Sequence, residues 1–302
     1  MCISRAFFIA PCIFLGLTGC DSRPTDELGL KAKSLVLANV GGRDTLSYWR
    51  MDGQPLVTKT LNSPCRTNFV FNDWDLQCEN PNGEIVILGM DGRVLAKLGR
   101  HCYGLTAVAP DRVTEACWDS NGTILTVYLE GSGAIEVFNA DNYRIARTAR
   151  LTGTFPSPLS WTRDSGRLYF SSAGRIFVYS VRSHALEELS VKGDWPKVAP
   201  EGSRILYRDG ITRQAAILDL TGRGAVRQLA VGPLWYPASW SVDGNYVLAN
   251  RKGEMKLIIW RLSDGKSQDV RIWDEDLKAQ YYGLVRTPIN DSSFDIPKRD
   301  RN

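Results

Sequence analysis

Trp240-Ser241-Val242-Asp243-Gly244 runs directly into Asn245-Tyr246-Val247-Leu248-Ala249-Asn250, a tryptophan and a polar turn followed by a short apolar segment. Ser and Asp favour turns because their side-chain oxygens bond nearby backbone, and Gly because it accepts positive φ. An apolar run bounded by such residues reads as a strand. The phrase recurs upstream as Trp161-Thr162-Arg163-Asp164-Ser165-Gly166 and as Ala199-Pro200-Glu201-Gly202. A further copy reads Trp118-Asp119-Ser120-Asn121-Gly122. An apolar strand follows each: 167–172, 203–208 and 123–129.

A second unit alternates with the first. It is an apolar strand, a turn of Asp, Gly, Asn or Ser, and a second strand of alternating pattern. It occurs at 46–61, 84–98, 134–151, 175–189, 215–229 and 256–272, with turns at Asp52, Asp91, Asp141, Ser183, Thr221 and Asp264. A spacing of roughly 40 residues suits a four-stranded blade repeated around a ring. The interval ending at Asp141 is the longest, and the strand-like piece Tyr103 to Val108 is the expected insertion.

Trp-Ser-x-Asp-Gly followed by a strand resembles the TolB-type propeller repeat, a relative of the WD-repeat blade. Residues 240–250 carry the resemblance best; 196–207 and 158–170 carry it in part. The first two hairpins share only its rhythm. The fold expected is all-β, a six-bladed β-propeller over residues 34–286. Little apolar sequence precedes Ser34, so the first blade lacks an innermost strand, and 279–285 (Ala-Gln-Tyr-Tyr-Gly-Leu-Val) is expected to supply it and close the ring. Closure of this kind leaves only short sheet edges.

Residues 1–19 read as an export signal. Arg5 precedes an apolar run, Ala6 to Leu17, too short to span a bilayer, which takes about 20 residues. The run ends in Leu17-Thr18-Gly19-Cys20, which resembles the bacterial lipobox. That resemblance implies lipidation of Cys20 and a protein facing outside the cytoplasm. Asp21 resembles a signal for retention at the inner membrane. Residues 20–33 then form a lipidated tether, and 287–302 a polar tail.

Four cysteines follow Cys20: Cys65, Cys78, Cys102 and Cys117. An even number in an exported chain favours disulfides. Each sequential pair flanks a hairpin-like stretch, centred near Phe71-Asn72 and near Ala109-Pro110. Cys65–Cys78 and Cys102–Cys117 are therefore favoured over the two other connectivities.

The formal net charge of +4 includes Arg5 and gives no reason to expect nucleic acid. His101 and His184 are the only histidines, and no catalytic or metal-ligand motif occurs. No cofactor is expected. Trp118, Trp161 and Trp240 are expected at equivalent positions between blades. In a propeller, loops joining second and third strands share one face with the connectors between blades. Those loops carry Arg43, Arg175, Arg208, Arg213, Arg251 and Lys252; the connectors carry Phe155, Trp195, Trp235, Tyr236 and Trp273. Arg with Trp and Tyr is the composition of interaction hot spots. The expected partner set is Arg175, Arg208, Arg251, Trp195, Trp235 and Tyr236. The expected function is docking of other envelope proteins, with acidic surfaces on the partner as the expected match. The alternatives are a hydrolase or lyase with a site at the channel mouth, or a glycan or small-molecule sensor.

Overall fold

The computed structural model describes residues 33–38, 45–49, 55–60, 70–72, 75–80, 82, 84–89, 94–98, 106–118, 124–129, 133–139, 159–222, 224–229, 239–241, 243–250, 256–271 and 281–286. Every regular element among them is a strand. The chain begins with β1 (Lys33–Ala38), β2 (Thr45–Trp49) and β3 (Pro55–Thr60). A second sheet holds β4 (Val70–Asn72), β5 (Asp75–Glu79), β6 (Ile85–Gly89) and β7 (Val94–Leu98). A third holds β8 (Thr106–Val108), β9 (Glu115–Trp118), β10 (Ile124–Leu129) and β11 (Gly133–Asn139). Next come β12 (Ser160–Trp161), β13 (Arg167–Ser172), β14 (Arg175–Ser180) and the long β15 (Ala185–Val198). They lead on to β16 (Arg204–Asp209), β17 (Ala215–Asp219) and β18 (Val226–Gln228). The final sheet is β19 (Ser239–Trp240), β20 (Tyr246–Asn250), β21 (Lys256–Arg261) and β22 (Ser267–Arg271).

β15 serves two sheets. Ala185 to Lys192 pairs with β14, and Gly193 to Val198 pairs with β16. The last strand, β23 (Tyr281–Arg286), pairs antiparallel with β1 from Lys33↔Arg286 to Ala38↔Tyr281. It gives the first sheet its fourth strand and touches β19, β20 and β4 of the neighbouring sheets. Consecutive antiparallel sheets of this kind are the architecture of a β-propeller.

Both faces of the middle sheets are buried, which explains their near-continuous apolar strands. On β13, Leu168 and Phe170 join a cluster with Trp118, Leu125 and Phe138 of the preceding sheet, while Tyr169 packs with Val198 and Ile205 of the next. On β16, Leu206 faces Trp240 and Val247, and Tyr207 faces back to Ile176. The core is thus a series of side-chain layers between adjacent sheets. Its densest part is aromatic: Trp118 meets Phe170 edge-on at 5.6 Å, and Phe170 stacks on Phe177 at 5.4 Å.

Side chains also stitch the sheets at the edges of their first strands. Gln77 of β5 donates from Nε2 to Val108 O (2.8 Å) and accepts from Val108 N (2.9 Å). Trp161 Nε1 donates to Ala107 O at 3.1 Å, and Trp240 Nε1 to Lys197 O at 2.9 Å. Ser160 Oγ accepts from Val198 N at 3.0 Å. Each bond joins one sheet to the first strand of its neighbour.

The turn after the first strand has a common construction. Ser241 Oγ donates to Asp243 Oδ1 (2.6 Å) and accepts from Tyr246 N (2.9 Å), and Asn245 N donates to the same carboxylate (3.0 Å). Thr162 and Asp164 repeat these bonds with Gly166 and Arg167. The Thr162 hydroxyl, with the Gly166 amide, holds the Asp164 carboxyl below the usual carboxylate range. A residue with positive φ follows the acidic position: Ser165 (57°), Gly202 (78°) and Gly244 (67°).

That geometry corrects the sequence reading of the third sheet. Its corresponding turn is Ala109-Pro110-Asp111-Arg112, with Arg112 at φ 65° and Arg112 N donating to Ala109 O at 2.9 Å. Trp118 ends the second strand, β9, opposite Leu125, whereas Trp161 and Trp240 end first strands. The three tryptophans are therefore not equivalent: the carboxylate-capped turn, rather than the indole, marks the repeat. Thr106–Val108 is likewise the first strand of its sheet and no insertion. Residues 133–139 form the fourth strand, so the hairpin turn precedes Gly133 instead of falling at Asp141. Asp141 itself lies outside the described residues.

Gln77→Leu, which deletes two buried stitches, is expected to lower unfolding free energy by about 2–3 kcal/mol, and Ser160→Ala, which deletes one, by about 1 kcal/mol. Urea denaturation at equal m-value checks that ratio.

Candidate functional site

Among the described residues, the sequence-selected Arg175, Arg208 and Trp195 lie where β15 crosses between sheets. Opposite β16 the register shifts between Asp194↔Arg208 and Lys197↔Leu206, leaving Trp195-Pro196 as a β-bulge. Trp195 has φ 57°, a left-handed conformation unusual for a bulky residue. Bulges re-aim side chains, and this one brings the Trp195 indole against Arg208, whose guanidinium carbon lies 3.6 Å from the ring centroid. Arg208 Nε also donates to Asp194 Oδ1 at 2.6 Å, and Nη2 to Asp194 Oδ2, a two-pronged pair. Its side chain is only 12% exposed. Arg213 Nη1 approaches the same carboxylate at 3.6 Å.

Neighbouring loops are tied to this crossing. Gly193 N donates to Gly174 O (2.9 Å) in the β13–β14 turn, and Gly210 N donates to Lys192 O (3.1 Å) from the β16–β17 loop. Gly193 is required by close approach: a Cβ there would stand 2.3 Å from Arg208 O. Arg175 opens β14 at the same end and pairs with Glu188 at 3.0 Å, both half-exposed. The structure thus brings Arg175, Arg208 and Trp195 to one end of adjacent sheets. Arg208 and Trp195 form a locked platform there, and Arg175 is a solvated ion pair. Arg251, Trp235 and Tyr236 lie outside the described residues, as do Arg43, Lys252, Phe155 and Trp273.

Asp194, which fixes Arg208, was missed because nothing in the sequence separates it from other turn carboxylates. Ile211 was missed although it had a signal, an aliphatic residue amid Asp209, Gly210, Thr212 and Arg213. It is 88% exposed. His184 is exposed in the turn after β14 and shares a 2.8 Å hydrogen bond between Nδ1 and Tyr179 OH.

Cys117 is buried on β9 and disulfide-bonded. The register corrects the reason given for its pairing: Thr106, not Cys102, stands opposite Cys117, because the hairpin turns two residues later than expected. Likewise Val70↔Gln77 centres the first hairpin between Asn72 and Asp75. Cys20, Cys65 and Cys102 and the side chain of Cys78 lie outside the described residues. Among the described residues, no group of three or more His, Cys, Asp or Glu is placed to hold a metal ion.

The class these sheets define is the β-propeller. The chain is similar in fold to one from a Nidogen/Laminin complex, at TM-score 0.54 and 13% identity, covering 84% of this chain and 99% of that one. It is also similar to TolB from Acinetobacter baumannii (0.49, 16%, covering 83% and 66%) and to the Myceliophteria thermophila Cps50 (Swd1) β-propeller domain (0.48, 13%, covering 78% and 89%). No family model and no curated protein matches the chain.

Arg208→Lys keeps the charge but loses the planar fork and the stacking, and is expected to cost about 1–2 kcal/mol. Arg175→Ala, which breaks a solvated pair, is expected to cost about 0.5 kcal/mol or less. Denaturant unfolding of the two variants tests the contrast.

Proposed function

We propose that this chain is a lipid-anchored propeller of the bacterial cell envelope, tethered through Cys20, that docks other envelope proteins. The observation that carries the docking reading is the platform of Trp195, Arg208 and Asp194. A strained bulge residue is held under a nearly buried arginine at a loop end, and backbone strain of this kind clusters at functional sites. The composition is that of an interaction hot spot, and surplus arginine favours acidic surfaces on the partner.

In this reading the six four-stranded groups are six blades, with β23 closing the ring. Support comes from the pairing of β23 with β1 and its contacts with the sheets on either side. Leu17-Thr18-Gly19-Cys20 and Asp21 support export, lipidation and residence on the periplasmic side of the inner membrane. The disulfide at Cys117 suits an oxidising compartment, and Cys65–Cys78 and Cys102–Cys117 are the proposed pairs.

Cys20→Ser is expected to move the protein from the membrane to the soluble or unprocessed fraction and to abolish the added acyl mass. Cell fractionation with intact-mass spectrometry decides it. A wild-type chain without acyl mass, or a variant that fractionates unchanged, contradicts the anchor.

A further inference from the structure

Just beyond Arg208, the β16–β17 loop holds an aliphatic side chain out in solvent. Ile211 is 88% exposed, well above Val113 at 50% and Val226 at 46%. The loop is bonded throughout. Asp209 Oδ1 accepts from Ile211 N (3.0 Å), Thr212 N (2.7 Å) and Thr212 Oγ1 (3.0 Å), and Arg213 N returns to Asp209 O (3.0 Å). Gly210 N ties the loop to Lys192 O at 3.1 Å. Ile211 is therefore presented in a fixed position, so little ordering entropy is lost when it is buried by a partner.

The charges around it are unbalanced. Both oxygens of Asp194 are taken by Arg208, and Arg213 stands as a second cation on that one carboxylate, half-exposed at 52%. Lys192 is exposed on the connector beneath the loop. Against three cations the patch sets only Asp194 and Asp209. We propose that Ile211 and Arg213 form the anchor of a protein-docking site: Ile211 enters an apolar pocket of the partner while Arg213, with Lys192, pairs with carboxylates on the rim of that pocket. This rests on the docking reading above and narrows it to one loop and one partner chemistry. A lipid surface fits less well, because one aliphatic side chain inserts little area and Asp194 and Asp209 would face anionic headgroups.

The test is photo-crosslinking in intact cells with Ile211→p-benzoylphenylalanine in the full-length chain, and the same substitution at Val113, exposed in the β8–β9 turn of another sheet, as the control. The expected result is one discrete protein adduct at 211 and none at 113. Mass spectrometry should place the adduct on apolar residues of the partner within reach of Asp or Glu. Adding Arg213→Glu, or Lys192→Glu if the former lowers the amount of folded protein, should reduce the adduct at least tenfold. An adduct with lipid, an adduct with a second copy of the chain, no adduct, or one indifferent to both charge reversals overturns the proposal. A crosslinker at Arg175 separates the two readings. An adduct there with none at 211 leaves the docking function standing without this anchor, and silence at both positions removes both.

Discussion

A strand at the edge of a sheet carries backbone groups that its own sheet does not pair, and the organisation of this chain turns on how those groups are covered. Buried N–H and C=O groups left without partners cost free energy comparable to a lost hydrogen bond. Here the first strands β8, β12, β15 and β19 are short or shared, and side chains from adjacent sheets reach across to their backbone. Gln77 takes both polar groups of Val108, Ser160 takes the Val198 amide, and the indoles of Trp161 and Trp240 take Ala107 O and Lys197 O. One set of contacts therefore satisfies the edges and fixes each sheet against the next. The apolar layers between sheets supply the bulk attraction, and these directional bonds set the register at which the layers meet.

The repeat was legible because its chemistry is local. Asp243 and Asp164 cap their turns with bonds spanning two residues, and Ser241 and Thr162 complete them within five, so sequence spacing alone reveals the device. Where the residue types changed, the reading slipped. Ala109-Pro110-Asp111-Arg112 makes the same turn without a tryptophan, and Trp118, the conspicuous residue nearby, drew the repeat one strand too far. The hairpin before Cys117 slipped for the same reason, since its turn centre depends on which residue adopts positive φ, and Arg112 does not advertise it. The missing strand before Ser34 was visible as a lack of apolar residues. Its counterpart at Tyr281–Arg286 lies far away in sequence, and the extra apolar piece after the last hairpin pointed there.

The candidate site was legible as composition and not as geometry. Arginine and tryptophan in loops suggested a contact surface, but the sequence did not distinguish an arginine that is committed from one that is available. Arg208 is committed: its fork is filled by Asp194 and its face lies on Trp195. That commitment makes it a foundation, because it locks the bulge and leaves Arg213 and Lys192 as surplus charge. The tertiary contacts that divide these roles run between β15 and β16, and no spacing rule anticipates them. Ile211, fixed by Asp209 and turned outward, is the complement on the apolar side.

The proposed ring depends on one pairing, in which β23 at residues 281–286 joins β1 at residues 33–38. Amide hydrogen exchange resolved to peptides covering those two segments probes that pairing. Paired strands in one cooperative unit predict similar protection of the two segments, slowed on the order of 10³-fold or more relative to an unstructured chain. Exchange of 281–286 at the unstructured rate while 33–38 stays protected would contradict it.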